Sequence, residues 1–146
     1  MTTICWDGEV MAGDSQVTCG GHIVHNSPKV IKEAGNLIGF SGDMVHFRAF
    51  VRWLCYDAEA KPDPKGEWNA LVVTKDGEVR DYESCLEYAV VADKIYTIGS
   101  GGIIAKTAML CGKNAFEAVR IACMLDIYSG GNIYYISHKT DEELKV

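Results

Sequence analysis

Two Asp-Gly dipeptides constrain this chain more than any other feature. Asp7-Gly8 parts "TTICW" from "EVMAGD", and Asp76-Gly77 parts "NALVVT" from "EVRDYE". Asp-Gly between short β-prone runs suits the positive backbone angles of a two-residue hairpin turn, so each dipeptide predicts a pair of antiparallel strands. A two-residue turn at Asp7-Gly8 pairs Trp6 with Glu9 and Thr2 with Gly13, which leaves Asp14 beside the start of the chain. A one-residue slip would change the face Asp14 points to, but not its proximity.

Between the hairpins, "DMVHFRAFVRWLCYDAEAK" spaces Met44, Phe47, Val51, Leu54 and Cys55 along one helical face, and the prolines and glycine of "KPDPKGEW" end the run. Downstream, "KIYTI" reads as a strand, "GSGG" as a turn and "IIAKTAMLCG" as a helix closed by Gly112. Asn114 and Glu117 have capping-box spacing ahead of a second helix, "AFEAVRIACMLD", so the two helices form a hairpin. "GNIYYISH" reads as a last strand and "KTDEELKV" as a polar tail. Blocks of hairpins and helices in this order predict an α+β layered fold rather than an alternating parallel sheet. A chain of 146 residues, 48% hydrophobic, fits a single domain over 1–146.

Charge and composition exclude several functions. With 14 Lys and Arg against 20 Asp and Glu, the net charge of -6 disfavours nucleic acid and anionic membranes as partners. No apolar run approaches the ~20 residues of a membrane helix, and the start lacks the basic-then-apolar layout of a secretory signal, so a cytoplasmic protein is expected. The six cysteines show no C-x-x-C pair and are expected as buried free thiols. His22 and His25, three apart in a strand-like stretch, point to opposite faces and cannot share a metal; neither metal nor cofactor is expected. "GSGGII" places Ile104 where a dinucleotide-binding loop needs its third glycine, and no G-K-[ST] follows, so it is a weak phosphate cradle.

The start of the chain carries the chemistry. Removal of Met1, which a small second residue favours, would leave Thr2 with a hydroxyl and a free α-amine on neighbouring carbons, a nucleophile and its base in one residue. The amine has an ordinary pKa of about 8, and a fixed cation nearby lowers it toward neutrality. Lys29, in "NSPKVIK", follows the next strand-like stretch and can return to the same sheet end, where Asp14 would hold its ammonium. Taken singly, Asp14 is a turn residue and Lys29 a solvated one. "FSGDM", "GSGGI" and "YSGGN" either punctuate loops or turn backbone amides toward a ligand.

The ordered set "TTI", "AGDSQVT", "KV", "IGFSG", "IGSGG", "AMLCGKNAFEAV" and "DIYSGGNI" resembles the proteasome β-subunit family, which includes the bacterial HslV peptidase, from Thr2 to about Ile136. The resemblance implies the four-layer αββα N-terminal-nucleophile (Ntn) hydrolase sandwich, with two antiparallel sheets between helix layers. It also implies a threonine endopeptidase assembled as stacked homo-oligomeric rings around a proteolytic chamber. Thr2 then matches the catalytic threonine, Asp14 and Lys29 the pair that tunes it, and Gly42 the oxyanion amide. Ser100, Asp126 and Ser129 match the polar network around the threonine amine, and Val17, Ile31, Phe40 and Met44 match an apolar substrate pocket. Peptides or unfolded proteins are the implied substrates, delivered in the family by an AAA+ ATPase unfoldase.

The chain departs from the pattern in a first hairpin about four residues shorter than usual, a shorter overall length and no propeptide beyond Met1, as in a bacterial or phage type of member. Two other readings share the sequence: a non-catalytic ring or scaffold subunit, and an Ntn amidohydrolase of a small amide.

Overall fold

The computed structural model describes residues 2–139 together with 144 and 145. In chain order the strands are β1 (Ile4–Trp6), β2 (Val10–Gly13), β3 (Gln16–Cys19), β4 (His22–Asn26), β5 (Val30–Glu33) and β6 (Asn36–Gly42). A 3-10 turn (Met44–His46) leads into helix α1 (Phe47–Cys55), followed by β7 (Trp68–Val73), β8 (Val79–Glu83), β9 (Tyr88–Val90) and β10 (Tyr96–Ile98). Helices α2 (Gly102–Leu110) and α3 (Ala115–Leu125) precede β11 (Tyr134–Ser137) and the short β12 (Leu144–Lys145). Among the described residues the strands form two five-stranded sheets, β10-β1-β2-β11-β12 and β5-β6-β7-β8-β9, and a separate hairpin, β3-β4. Every pairing is antiparallel.

Strand pleating sorts the side chains into three apolar clusters. Ile4, Trp6, Met11 and Ile136 of the first sheet meet Val30, Leu37, Leu71 and Val73 of the second. Cys5 and Ala12, whose strand positions alternate with those residues, face the other way onto Ala105, Ala108, Ala118, Val119 and Ala122 of α2 and α3. Small side chains let the helix pair lie close to the sheet. On the far face of the second sheet, Ile38, Phe40, Ala70, Val72 and Tyr82 pack on Phe47 and Phe50 of α1. Burial on both faces explains why β1 and β7 read as continuous apolar runs instead of alternating ones. Where the sheets meet, a Cβ on Gly39 would lie 2.5 Å from Ile4 Cγ2, so only glycine fits that crossing.

The predicted elements return with local differences. The capping box at Asn114 and Glu117 is complete in both directions, and Gly112 takes the positive φ of a helix end. Neither Asp-Gly dipeptide forms the two central residues of a tight turn. Trp6 pairs with Met11 and the Asp7 amide donates to Val10 O (3.2 Å), which leaves Gly8 and Glu9 between them. One oxygen of Asp7 accepts the amides of Glu9 (2.9 Å) and Val10 (2.8 Å), and the other accepts the Ala115 amide at the start of α3 (2.9 Å). Three acceptor contacts on one side chain outweigh the tight-turn preference of Asp-Gly. In the second hairpin Val73 pairs with Val79, and Gly77, at φ +90°, donates its amide back to Thr74 O.

The cysteines are free but mostly not buried: Cys5 is buried, Cys55 and Cys123 are half-buried, and Cys19, Cys85 and Cys111 are exposed. No helix among the described residues is long and apolar enough to cross a membrane. The tail read as polar lies partly outside the described residues, and its Leu144–Lys145 segment pairs with β11.

Candidate active site

Displacement of the turn by one residue, to Gly8 and Glu9, shifts the register of the first hairpin by two residues from the expected one. Ile4, not Thr2, stands opposite Gly13. A shift of two restores each side chain to its original face. Thr3 therefore becomes the direct neighbour of Asp14: the Asp14 amide donates to Thr3 O (3.2 Å), and the Thr3 amide donates to Asp14 Oδ1 (3.0 Å). Thr2 and Thr3 are both buried, at 1% and 0% exposure. Met1, whose removal the sequence reading expects, lies outside the described residues.

Asp14 and Lys29 meet as a buried pair. Lys29 Nζ lies 3.0 Å from each Asp14 oxygen and donates to Gln16 O at 2.6 Å. The carboxylate also accepts the amides of Gln16 (3.3 Å) and Gly130 (3.1 Å). Burial pushes the Asp14 carboxyl above its ordinary value, against the opposing pull of the ammonium and amides. Burial pushes Lys29 below its ordinary value, and Asp14 opposes that shift. A carboxyl accepting three amides and an ammonium has no oxygen to spare for a proton, so the pair is held charged. Lys29 sits here because Pro28 ends the preceding segment and β5 begins at Val30. The same residue offers its carbonyl to the Phe40 amide (2.9 Å), so main chain and side chain serve different elements.

A second network closes over the start of β1. The hydroxyls of Ser100 and Ser129 both donate to Asp126 Oδ2 at 2.7 Å, and the Tyr128 amide donates to Oδ1 at 3.3 Å. Burial alone would raise the Asp126 carboxyl, but these donors outweigh it and hold it below the usual carboxylate value. Ser129 Oγ also lies 2.7 Å from Thr3 Oγ1. Thr2 O accepts the Gly101 amide at 3.2 Å, with Ser100 Oγ 3.5 Å away. A Cβ on Gly99, which has φ +95°, would fall 2.0 Å from Thr2 O, and one on Gly101 would fall 1.9 Å from Thr3 Oγ1. The glycines of "GSGG" thus admit the backbone of Thr2 and the side chain of Thr3, occupying the space a phosphate cradle would need.

Gly42 ends β6 at φ +115°, where a Cβ would lie 2.4 Å from Glu67 O. Amides two apart on a strand leave the same edge. The Phe40 amide meets Lys29 O, and the Asp43 amide meets Glu67 O (3.2 Å) on the opposite edge. The Gly42 amide therefore faces the Lys29 edge, where β5 has not yet begun.

The four candidate pocket residues are not equivalent. Ile31 and Met44 line a groove of about 1110 Å³ beside α1, with Arg48 and Arg52 also on its wall. Phe40 is 0% exposed and stacks on Phe47 and Trp68 with ring centroids 4.9 and 5.1 Å away, beneath the groove rather than in it. Val17 is half-buried on β3 and does not line that groove. A separate cleft of about 950 Å³ adjoins Ser41 and Gly42. His22 and His25 lie on the exposed strand β4, and no cluster of three or more metal-ligating side chains occurs among the described residues.

Sequence reasoning missed Thr3, Gly99, Gly101 and Gly130 as parts of this site. The second threonine was visible in "TTI", but only the true register puts it against Asp14, and only the folded chain brings "GSGG" onto it.

No protein-family model matches the chain, and no curated protein matches it. Among solved structures, the crystal structure of eukaryotic HslV from Trypanosoma brucei matches with a TM-score of 0.66 at 23% sequence identity, over 94% of this chain and 100% of that one. The mixed α/β architecture with antiparallel sheets is the fold it shares with HslV.

Proposed function

We propose that the chain is a threonine endopeptidase of the proteasome and HslV type, a single Ntn hydrolase domain over 1–146 with the four-layer αββα sandwich. The observation that carries this reading is the meeting, just before β1 and next to Thr2, of Thr3 with a buried Asp14–Lys29 ion pair and the Asp126 hydroxyl network. Burying a lysine and an aspartate is costly, and a strand end has no structural need for them.

With Met1 removed, the Thr2 hydroxyl oxygen attacks the scissile carbonyl carbon as its proton passes to the α-amine. Lys29 keeps a positive charge nearby, which favours the neutral, basic amine. The Gly42 amide donates to the developing oxyanion, a position where one fixed donor is worth about 3 kcal/mol. Collapse breaks the C–N bond, and the leaving amine takes the proton from the Thr2 ammonium. Water, deprotonated by the same amine, then attacks the Thr2 ester and releases the acid and the free hydroxyl. Ser100, Asp126 and Ser129 orient the amine through both halves of the reaction.

The reading extends to cytoplasmic, self-compartmentalising rings acting on peptides or unfolded proteins, fed by an AAA+ unfoldase. The intact mass of the purified protein, before and after a peptide epoxyketone, tests it, because that warhead needs both hydroxyl and amine of an N-terminal nucleophile. Loss of Met1 and one adduct per chain on a ring-sized particle is expected. A processed, folded ring without adduct would instead support a scaffold subunit, and an adduct on a monomer would support a small-amide hydrolase.

The substrate pocket follows from Ile31 and Met44. The apolar side chains that these two residues present to the groove suit cleavage after hydrophobic residues, with Phe40 packed beneath and Val17 outside the groove. A peptide-library profile dominated by cleavage after lysine or aspartate would overturn that specificity.

A further inference from the structure

We propose that Thr3 is a positioning residue for the reaction, its hydroxyl locking the Asp126 network onto the residue that carries the nucleophile. The inference rests on the threonine peptidase reading of Thr2.

Hydroxyl bookkeeping fixes the direction of the bonds. Ser129 has one hydroxyl hydrogen, and it goes to Asp126 Oδ2 at 2.7 Å. In the 2.7 Å contact between Thr3 Oγ1 and Ser129 Oγ, the donor is therefore Thr3. Ser100 likewise commits its hydrogen to Asp126 at 2.7 Å and so joins the network as a second donor to the same oxygen. The result is a continuous chain from the Thr3 hydroxyl through Ser129 to Asp126, one peptide bond away from Thr2. Chained donors polarise one another, so the chain holds Thr3, and through it Thr2, more firmly than its separate contacts would.

Each polar group of Thr3 joins a different part of the site. Its amide donates to Asp14 Oδ1, its carbonyl accepts the Asp14 amide, and its hydroxyl reaches Ser129. Among the described residues it thus contacts both the Asp14–Lys29 pair and the Asp126 network directly. Valine keeps the shape of threonine and removes only the hydroxyl, so Thr3→Val isolates the bond to Ser129. The chain buries this hydroxyl at 0% exposure and keeps Gly101 without a Cβ that would lie 1.9 Å from it.

The test is inactivation kinetics with a peptide epoxyketone on the full chain, comparing wild type, Thr3→Val, Thr3→Ser and Ser129→Ala, with intact mass counting adducts. Thr3→Val is expected to lower the maximal inactivation rate about tenfold, the rate equivalent of one ordinary hydrogen bond. The inhibitor concentration for half-maximal rate stays unchanged, since buried Thr3 cannot touch the inhibitor, and the final yield stays at one adduct per chain. Thr3→Ser restores the rate. Ser129→Ala slows the reaction similarly, and the Thr3→Val/Ser129→Ala double variant falls well short of the product of the two effects, because both cut one chain of bonds. A merely structural role would lower the adduct yield and leave the rate per reacting chain untouched.

Should Thr3→Val not fold, Thr3→Ala is read in the same way. Wild-type rate in either hydroxyl-free variant overturns the proposal. A wild-type protein that forms no adduct overturns the peptidase reading itself, so the two failures are distinguishable.

Discussion

Thr2→Ala is expected to lose peptide hydrolysis by at least about a thousandfold while the protein folds and processes as before, because no other group can replace an attacking hydroxyl on the first residue. Alanine is as small as threonine at the second position, so removal of Met1 should proceed equally. The carbonyl of residue 2, which receives the Gly101 amide, is retained. The variant should also form no epoxyketone adduct, which separates loss of the nucleophile from contamination by another peptidase. Thr2→Ser keeps hydroxyl and amine and is expected to retain adduct formation. Unchanged hydrolysis by a purified Thr2→Ala protein, measured on a fluorogenic peptide, would end the assignment of Thr2 and move the search to another nucleophile. Among the described residues, the threonine that contacts both the Asp14 pair and the Asp126 network is Thr3, and its amide and carbonyl are both committed to hydrogen bonds with Asp14.

How far the sequence leads depends on whether the deciding interaction is local. The capping box at Asn114 and Glu117 is written in four residues and forms as read. The α1 face was legible in part: Phe47 is buried and Met44, Val51, Leu54 and Cys55 are half-buried as its spacing implies, but Phe50, fully buried in the same core, is not on the face as read. The first hairpin was misread by two residues because the Asp7 carboxylate also serves the amide of Ala115, a partner more than a hundred positions away. The β3-β4 hairpin and β9 carry no clean alternation, since β4 and β9 are exposed throughout and no buried face imprints a period on them. Within the site, Asp14 and Lys29 could be proposed because an even-numbered register error preserves faces. Thr3 and the glycines of "GSGG" could not, because their roles exist only where two distant segments touch.

Lys29→Met separates what the buried pair does for folding from what it does for chemistry. Methionine fills much the same volume, but it leaves the Asp14 carboxylate at 0% exposure with only the amides of Thr3, Gln16 and Gly130. Breaking a buried ion pair in this way costs about 3–5 kcal/mol. For a chain of this length that lowers Tm on the order of 10 °C.

The loss depends on pH. Burial already raises Asp14 above its unfolded value. Without the ammonium that opposes the rise, the folded pKa climbs further. A group whose folded pKa is raised stabilises the protein below its unfolded pKa, and that contribution disappears as pH rises through the folded pKa. Lys29→Met should therefore lie closer to wild type in Tm at pH 5 than at pH 8. Adding Asp14→Asn removes the stranded charge, so the double variant should regain part of the stability and lose the pH dependence between those values.

Activity should follow neither trend. Both variants lack the cation that keeps the Thr2 amine neutral and basic, and both should remain inactive on peptide at a temperature where they are folded. A folded Lys29→Met protein with wild-type turnover would show that the pair serves only the fold, and that the proposed tuning of the amine is wrong.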